Sequence, residues 1–316
     1  MIVIRKTKQF RSRYENCVAT IGKFDGVHLG HQLILDQLKV AAEQLELPSV
    51  VILLEPHPEE FFAQDSEDCP ARLTDLPEKL KLIEACGVDM AFELKFDKKL
   101  SQLSADDYIR KILVQGLGVR SLIIGHDFRF GHKRQGNLAL LRRCGKELDF
   151  TISETMPYER NGQRISSTFV REQLELGELA LVEQLLGRPY SISGEVVEGQ
   201  QLGANLDFPT CNIRLQRRRI PLQGVFACQV KLEERCLPAA VNIGFRPTVS
   251  DSGDAWLEAH ILDFDENIYG ARIEVIFRHK IRDEVRFDSV DELKQQLAID
   301  VESVRDILAQ ADKPAK

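Results

Sequence analysis

Residues 17–31 constrain this chain more than any other stretch. An apolar run over 17–21 reads as a buried strand. It breaks at Gly22 and Gly26 and enters an amphipathic helix carrying His28 and His31 in its first turn. Residues three apart share one face of a helix, so the two imidazoles point the same way. A helix start also offers backbone N–H groups without intrahelical partners and a partial positive charge. Glycines beside it let a phosphate approach the main chain closely. Strand, glycine turn and helix together predict an α/β fold that receives a nucleotide polyphosphate at this junction.

A chain of 316 residues exceeds the usual size of one core and predicts two domains. Lys and Arg number 42 against 49 Asp and Glu, a net charge of −7, which argues against wrapping nucleic acid by bulk charge. The basic run Arg217-Arg218-Arg219 is expected on a solvated turn. Seven cysteines, scattered and odd in number, form no Cys-X-X-Cys pair. Neither a disulfide framework nor a zinc knuckle fits, and a reducing cytoplasm is expected. The first residues lack the apolar core of a signal peptide, and no apolar run approaches membrane-spanning length. The oligomeric state stays open, a monomer being compatible.

Up to residue 186, strand patterns at 17–22, 49–54, 88–94, 120–125 and 149–155 alternate with helical patterns at 29–46, 75–86, 104–116 and 135–146. That alternation predicts βαβ units and a parallel sheet, with ligands at the carboxyl ends of the strands. From residue 187 the pattern changes to short β-branched and aromatic runs at 191–198, 210–215, 224–232, 238–243, 256–264 and 271–278. These predict a small antiparallel barrel. Leu293, Leu297, Val301, Val304 and Leu308 restore the helical period in a closing helix. The expected domains are 1–186 and 187–316.

The segment Gly22-Lys-Phe-Asp-Gly-Val-His-Leu-Gly-His31 resembles the signature of the prokaryotic bifunctional riboflavin kinase/FAD synthetases, a branch of the nucleotidylyltransferase superfamily. Glu55-Pro-His-Pro58, Ile124-Gly-His-Asp-Phe-Arg-Phe-Gly131 and Ile165-Ser-Ser-Thr-Phe-Val-Arg171 match the same pattern. The resemblance runs from about residue 15 to 310 and implies a Rossmann-like nucleotidylyltransferase domain, a riboflavin-kinase-like barrel and a C-terminal helix. It implies that His28 and His31 donate hydrogen bonds to phosphoryl oxygens of ATP, while Arg171 receives the leaving pyrophosphate. Gly22, Phe24, Asp25, Gly26, Ser166, Ser167 and Thr168 are implied in ATP binding, and His57, Asp127 and Phe128 in flavin binding.

In the second half, Phe208-Pro-Thr-Cys-Asn212 resembles the family's Phe-Pro-Thr-Ala-Asn, which implies that Thr210 and Asn212 hold Mg2+ and ATP phosphates. Gly194, Gly199 and Gly203 resemble its glycine-punctuated nucleotide loop. Val241-Asn-Ile-Gly-Phe-Arg-Pro-Thr248 matches a further segment. Glu258 occupies the position of the family's general base, and Arg282 and Arg286 fall in a segment that covers the flavin or caps the last helix. Two departures stand out: Ala204 replaces a basic residue and Asp207 a glycine. The resemblance implies conversion of riboflavin to FMN and of FMN to FAD, with ATP and Mg2+ and without nucleic acid or membrane. The alternatives are an FMN adenylyltransferase with a kinase-weak barrel, and a non-catalytic flavin carrier.

Overall fold

The computed structural model describes residues 1–63, 69–160, 162–198, 208–215, 217, 219–245 and 255–311. Two compact units account for the chain: residues 1–70 with 79–166, and residues 71–78 with 167–316.

The first unit runs β1 (Ile2–Ile4), α1 (Thr7–Arg11), β2 (Cys17–Gly22), α2 (Leu29–Leu45), β3 (Ser49–Glu55) and α3 (Pro58–Ala63). The division between units falls inside α4 (Leu76–Ala85), after Glu78. Then come β4 (Met90–Lys95), α5 (Lys98–Ser101) and a helical run of α6 (Ala105–Asp107), a π-helical stretch (Tyr108–Val114) and α7 (Gln115–Leu117). The unit closes with β5 (Val119–Gly125), α8 (Leu138–Leu148), β6 (Thr151–Thr155) and the small hairpin β7 (Glu159–Arg160) and β8 (Gln163–Arg164).

Six strands pair in the order β1-β4-β3-β2-β5-β6, each neighbouring pair parallel. Cys17, Val18 and Ala19 of β2 and Val50 to Leu53 of β3 have no exposed surface. Such unbroken apolar runs are what strands covered on both faces require. On α2, Leu35, Leu38 and Ala42 recur at helical spacing and are buried. Strand order reverses about β2, with β3 on one side and β5 on the other. In open α/β sheets the ligand crevice lies outside the strand ends at such a point. Gly22 ends β2 and Gly125 ends β5 there. β1 was not anticipated, because three residues carry no readable period.

The second unit contains α9 (Ser167–Glu175), α10 (Leu179–Leu186), then β9 (Ser191–Val197), β10 (Cys211–Arg214), β11 (Gly224–Leu232), β12 (Arg235–Phe245), β13 (Ala255–Ile261), β14 (Arg272–Arg282) and α11 (Val290–Ala311). The strands close into an antiparallel barrel in the order β10-β13-β12-β11-β14-β9. Val241, Ile243, Leu257, Ala259 and Val275 fill its interior without exposure. On α11, Val304 and Leu308 pack against Ala227 and Leu262, as the closing helix predicted.

One expectation is overturned. Arg217 is not on a solvated turn: its side chain has no exposed surface. Its Nη2 donates to Glu78 Oε2, and its Nη1 donates to the Leu73 carbonyl at 2.8 Å and to the Tyr190 hydroxyl at 3.3 Å. Glu78 Oε1 in turn accepts from the Ser193 amide at 2.6 Å. Burial, aided by Asp75, pushes the Glu78 carboxyl up against the pull of Arg217. A guanidinium is buried only where carboxylate and carbonyl acceptors meet it, and segment 71–78 supplies them. Arg218 lies outside the described residues.

Candidate functional site

The loop from β2 to α2 is bent by backbone that side chains rarely adopt. Phe24 (φ 49), Gly26 (φ 80) and Val27 (φ 41) all lie in the left-handed region. For a β-branched residue such as Val27 this is an outlier of the kind that clusters at functional sites. Phe24, Asp25 and Val27 are each 1% exposed, so packing holds the loop in place.

His28 does not sit in the first turn, as expected from sequence, but caps it. It is the N-cap of α2, with extended backbone (φ −68, ψ 169). Its Nδ1 accepts from the His31 amide at 3.2 Å. That nitrogen therefore carries no proton, and a neutral ring must hold its N–H on Nε2. The two rings stack with centroids 3.7 Å apart and planes 14° apart. His31 also meets Phe24 at 5.0 Å, and its Nδ1 is buried without a hydrogen-bond partner among the described residues. Burial first, then His28, Lys79 and Lys23, hold the His31 imidazole well below its ordinary value of 6.5. Gly30 makes the stacking possible, since a Cβ there would lie 3.2 Å from the His28 ring.

The remaining predicted residues of this half are placed as follows. Gly22 ends β2, where a Cβ would lie 3.0 Å from the Phe24 ring. His57 follows β3, is 5% exposed and is held by Lys79 at 2.8 Å. Asp127 accepts from Arg164 at 2.7 Å; against the push of burial, that guanidinium holds its carboxyl below the usual range. Phe128 stacks on Phe130 at 5.4 Å, and Phe130 joins the core. Ser166 ends the first unit. Ser167, Thr168 and Arg171 lie on α9 in the second unit, where Arg171 Nε donates to the Ala71 carbonyl at 2.5 Å. Sequence reasoning missed Lys79, although its phase gives a signal: it lies four residues before buried Ile83, on the inward stripe of α4.

On the barrel, Glu258 pairs with Asn212 across β10 and β13 and with Asn242 across β12 and β13. Directly opposed residues share a face. Leu257 and Ala259 point inward, so Asn212, Glu258 and Asn242 form a polar row on the outer wall. The Oδ1 atoms of Asn212 and Asn242 are buried without hydrogen-bond partners among the described residues. Glu284 accepts from Asn242 Nδ2 at 3.3 Å, turning that side chain's oxygen away from itself. His260 donates to the Pro209 carbonyl at 2.8 Å and its ring meets Phe208 at 5.5 Å, which pins the segment leading to Thr210.

Arg282 grips buried Asp300 of α11 through Nε at 3.0 Å and Nη2 at 2.8 Å, while Arg286 is exposed. The structure accounts for Gly194 by packing: a Cβ would lie 2.6 Å from the Arg214 carbonyl. Gly199, Gly203, Ala204, Asp207 and the 246–248 part of the Asn242 motif lie outside the described residues.

A family model described as FAD synthetase matches residues 10–169, and one described as riboflavin kinase matches residues 186–308. A bifunctional riboflavin kinase/FMN adenylyltransferase of Escherichia coli (strain K12) is 46% identical over 302 residues, covering 95% of each chain. The chain belongs to the bifunctional riboflavin kinase/FMN adenylyltransferase family. Other members are those of Pseudomonas fluorescens, 43% identical over 98% of each chain, and Haemophilus influenzae, 43% identical over 96% of this chain and 98% of that one. The riboflavin kinase/FMN adenylyltransferase fold is shared with a Streptococcus pneumoniae crystal structure described as a macrolide-efflux protein. It has a TM-score of 0.80 and 28% identity, and covers 96% of this chain and 98% of that chain. Among the described residues here, no helix is long and apolar enough to cross a membrane.

Proposed function

We propose that this chain makes both flavin cofactors, phosphorylating riboflavin to FMN on the barrel and adenylylating FMN to FAD on the parallel-sheet half, 1–186. The observation that carries the second step is the stacked histidine pair, with His28 capping α2, at the switch point of the sheet. An FMN phosphate oxygen bonds to the α-phosphorus of ATP while the bond from that phosphorus to the bridging oxygen breaks, releasing pyrophosphate. Positioning and charge stabilisation do most of the work in such a transfer. His28 contributes its Nε2–H and the α2 terminus its backbone dipole. By resemblance, Ser166, Ser167, Thr168 and Arg171 meet the phosphates, and His57, Asp127 and Phe128 the flavin.

In the kinase half, 187–316, Glu258 takes the proton of the riboflavin 5′-hydroxyl as that oxygen attacks the γ-phosphorus of ATP and ADP leaves. The buried, unsatisfied Oδ1 of Asn212 is the hard oxygen donor that Mg2+ selects. Thr210 and Asn212 would hold the ion, which supplies charge neutralisation to the phosphates when bound. Arg282 and Arg286 are read as the cover of the flavin, with Arg282 already oriented by Asp300. Small molecules are its partners, and the cytoplasm is its place of action.

Incubation with riboflavin, ATP and Mg2+ tests both halves at once. FMN and FAD should both form. FAD formed only from supplied FMN would favour a kinase-weak barrel, a reading that Ala204 and Asp207 keep open. Changing His28 and His31 together to Ala should abolish FAD formation and spare FMN formation. Surviving FAD production would remove the pair from the mechanism.

A further inference from the structure

Asn242 stands one strand from Glu258, on the side away from Asn212. The barrel order places β13 between β10 and β12, with these three residues in register. Opposed residues on neighbouring strands have Cβ atoms about 4.5–5.5 Å apart, so each asparagine lies within a side chain's reach of the carboxylate. Asn242 Nδ2 donates to Glu284 Oε1 at 3.3 Å, and Gln223 Nε2 donates to Glu284 Oε2 at 3.3 Å. A carboxylate only accepts, so the amide nitrogen must face Glu284 and Oδ1 is left over. That Oδ1 is buried with no hydrogen-bond partner among the described residues. Gly244, two residues further along β12 and on the same face, gives Glu284 its seat, because a Cβ there would collide with the carboxylate.

A buried acceptor left unmet costs about 1–3 kcal/mol, which a ligand that meets it recovers. Ionised phosphate oxygens only accept, so they cannot be that ligand; a cation or a hydroxyl can. Position decides between the two. The magnesium role belongs to Thr210 and Asn212, on the other side of Glu258. Asn242 is tied instead to Glu284, which lies in sequence between Arg282 and Arg286, the cover of the flavin.

We propose that Asn242 is a specificity-determining residue of the kinase site: its Oδ1 accepts a hydrogen bond from a ribityl hydroxyl adjoining the 5′-hydroxyl that Glu258 deprotonates, and Glu284 is the positioning residue that aims it. The proposal rests on reading the barrel as a riboflavin kinase and names the part of the substrate recognised there. A flavin without that hydroxyl leaves the oxygen buried and unmet, and is discriminated against for that reason.

The test compares KM and kcat of the full chain, with ATP and Mg2+, for riboflavin and for a flavin bearing a 5-hydroxypentyl chain. That analogue keeps the reacting hydroxyl and lacks the others. The wild type should favour riboflavin. In Asn242→Ala the riboflavin KM should rise roughly 3–10-fold, while that of the hydroxypentyl flavin holds or falls. The ATP KM and the Mg2+ requirement should not move, which also reports a folded barrel. Glu284→Ala should reproduce the riboflavin effect in weaker form. Glu284→Gln, whose amide oxygen still accepts from Asn242, should keep the wild-type preference. An Asn242→Ala enzyme that loses equally with both flavins overturns the proposal, as does one whose Mg2+ requirement rises instead. Should Asn242→Ala not fold, the ratio between the two flavins in Glu284→Ala decides in the same way. A wild-type chain forming no FMN would sink the kinase reading and this proposal with it, whereas a working kinase indifferent to the two flavins overturns the proposal alone.

Discussion

The His28 ring accepts a hydrogen bond from the backbone amide of His31 and lies flat against the His31 ring, 3.7 Å away. The first contact leaves His28 Nδ1 unprotonated, and the second fixes how close the two rings lie. Because the His31 imidazole is held below its ordinary value of 6.5, the unfolded chain binds more protons than the folded one under mildly acidic conditions. Its contribution to stability is therefore complete above that value and declines as pH falls through it. Urea unfolding at pH 7.5 and 5.5 should show the acid sample weaker, with the difference reduced in His31→Gln. An unchanged difference would remove this imidazole as its source.

Gly30→Ala separates stability from activity. An added methyl would stand 3.2 Å from the His28 ring and displace it by a few tenths of an ångström. The same methyl improves helix propensity by up to about 1 kcal/mol. FAD formation should fall by roughly tenfold, while the melting temperature holds or rises and FMN formation is unchanged. Wild-type FAD rates would show that the ring position is not critical.

Glu258→Gln retains the shape of the polar row but removes the base. FMN formation should fall by about 10²–10⁴, while FAD formation from supplied FMN continues. Rate measurements with each flavin given separately distinguish the two steps.

Asn212→Ala removes the orphan oxygen beside Glu258. The Mg2+ concentration needed for half-maximal FMN formation should rise by about tenfold, a change worth about 1.4 kcal/mol. A Mg2+ titration identical to the wild type would release Asn212 from the metal role.

Arg217→Met leaves buried Glu78 without its guanidinium and should destabilise the second unit by about 3–5 kcal/mol. Adding Glu78→Leu should restore much of that loss. Thermal melts of the single and double variants provide the comparison.

The regular elements were legible because their signals are local. Apolar runs marked β2 and β3, and Leu293 to Leu308 marked the closing helix by period. The histidine motif was legible as chemistry, but its capping geometry depends on φ values at Phe24 and Val27 that no propensity favours. Arg217 and Lys79 defeated a local reading for one reason. Each is buried by carboxylates distant in sequence, Glu78 for the first and Glu55 for the second. A charged residue read alone looks solvated, and only its position on an inward helical stripe betrayed Lys79. The row of Asn212, Glu258 and Asn242 likewise needs strand register, which three separate strands supply.

Segment 71–78 belongs with the barrel although it precedes it by about a hundred residues. Dissection of the enzyme must respect that. A truncated kinase fragment starting at residue 187 would discard the carboxylate that neutralises Arg217 and the acceptor of the Tyr190 hydroxyl, the Leu73 carbonyl. Poor yield from such a fragment would report a missing clasp rather than an incompetent catalyst, and grafting the eight residues back is the remedy to try first.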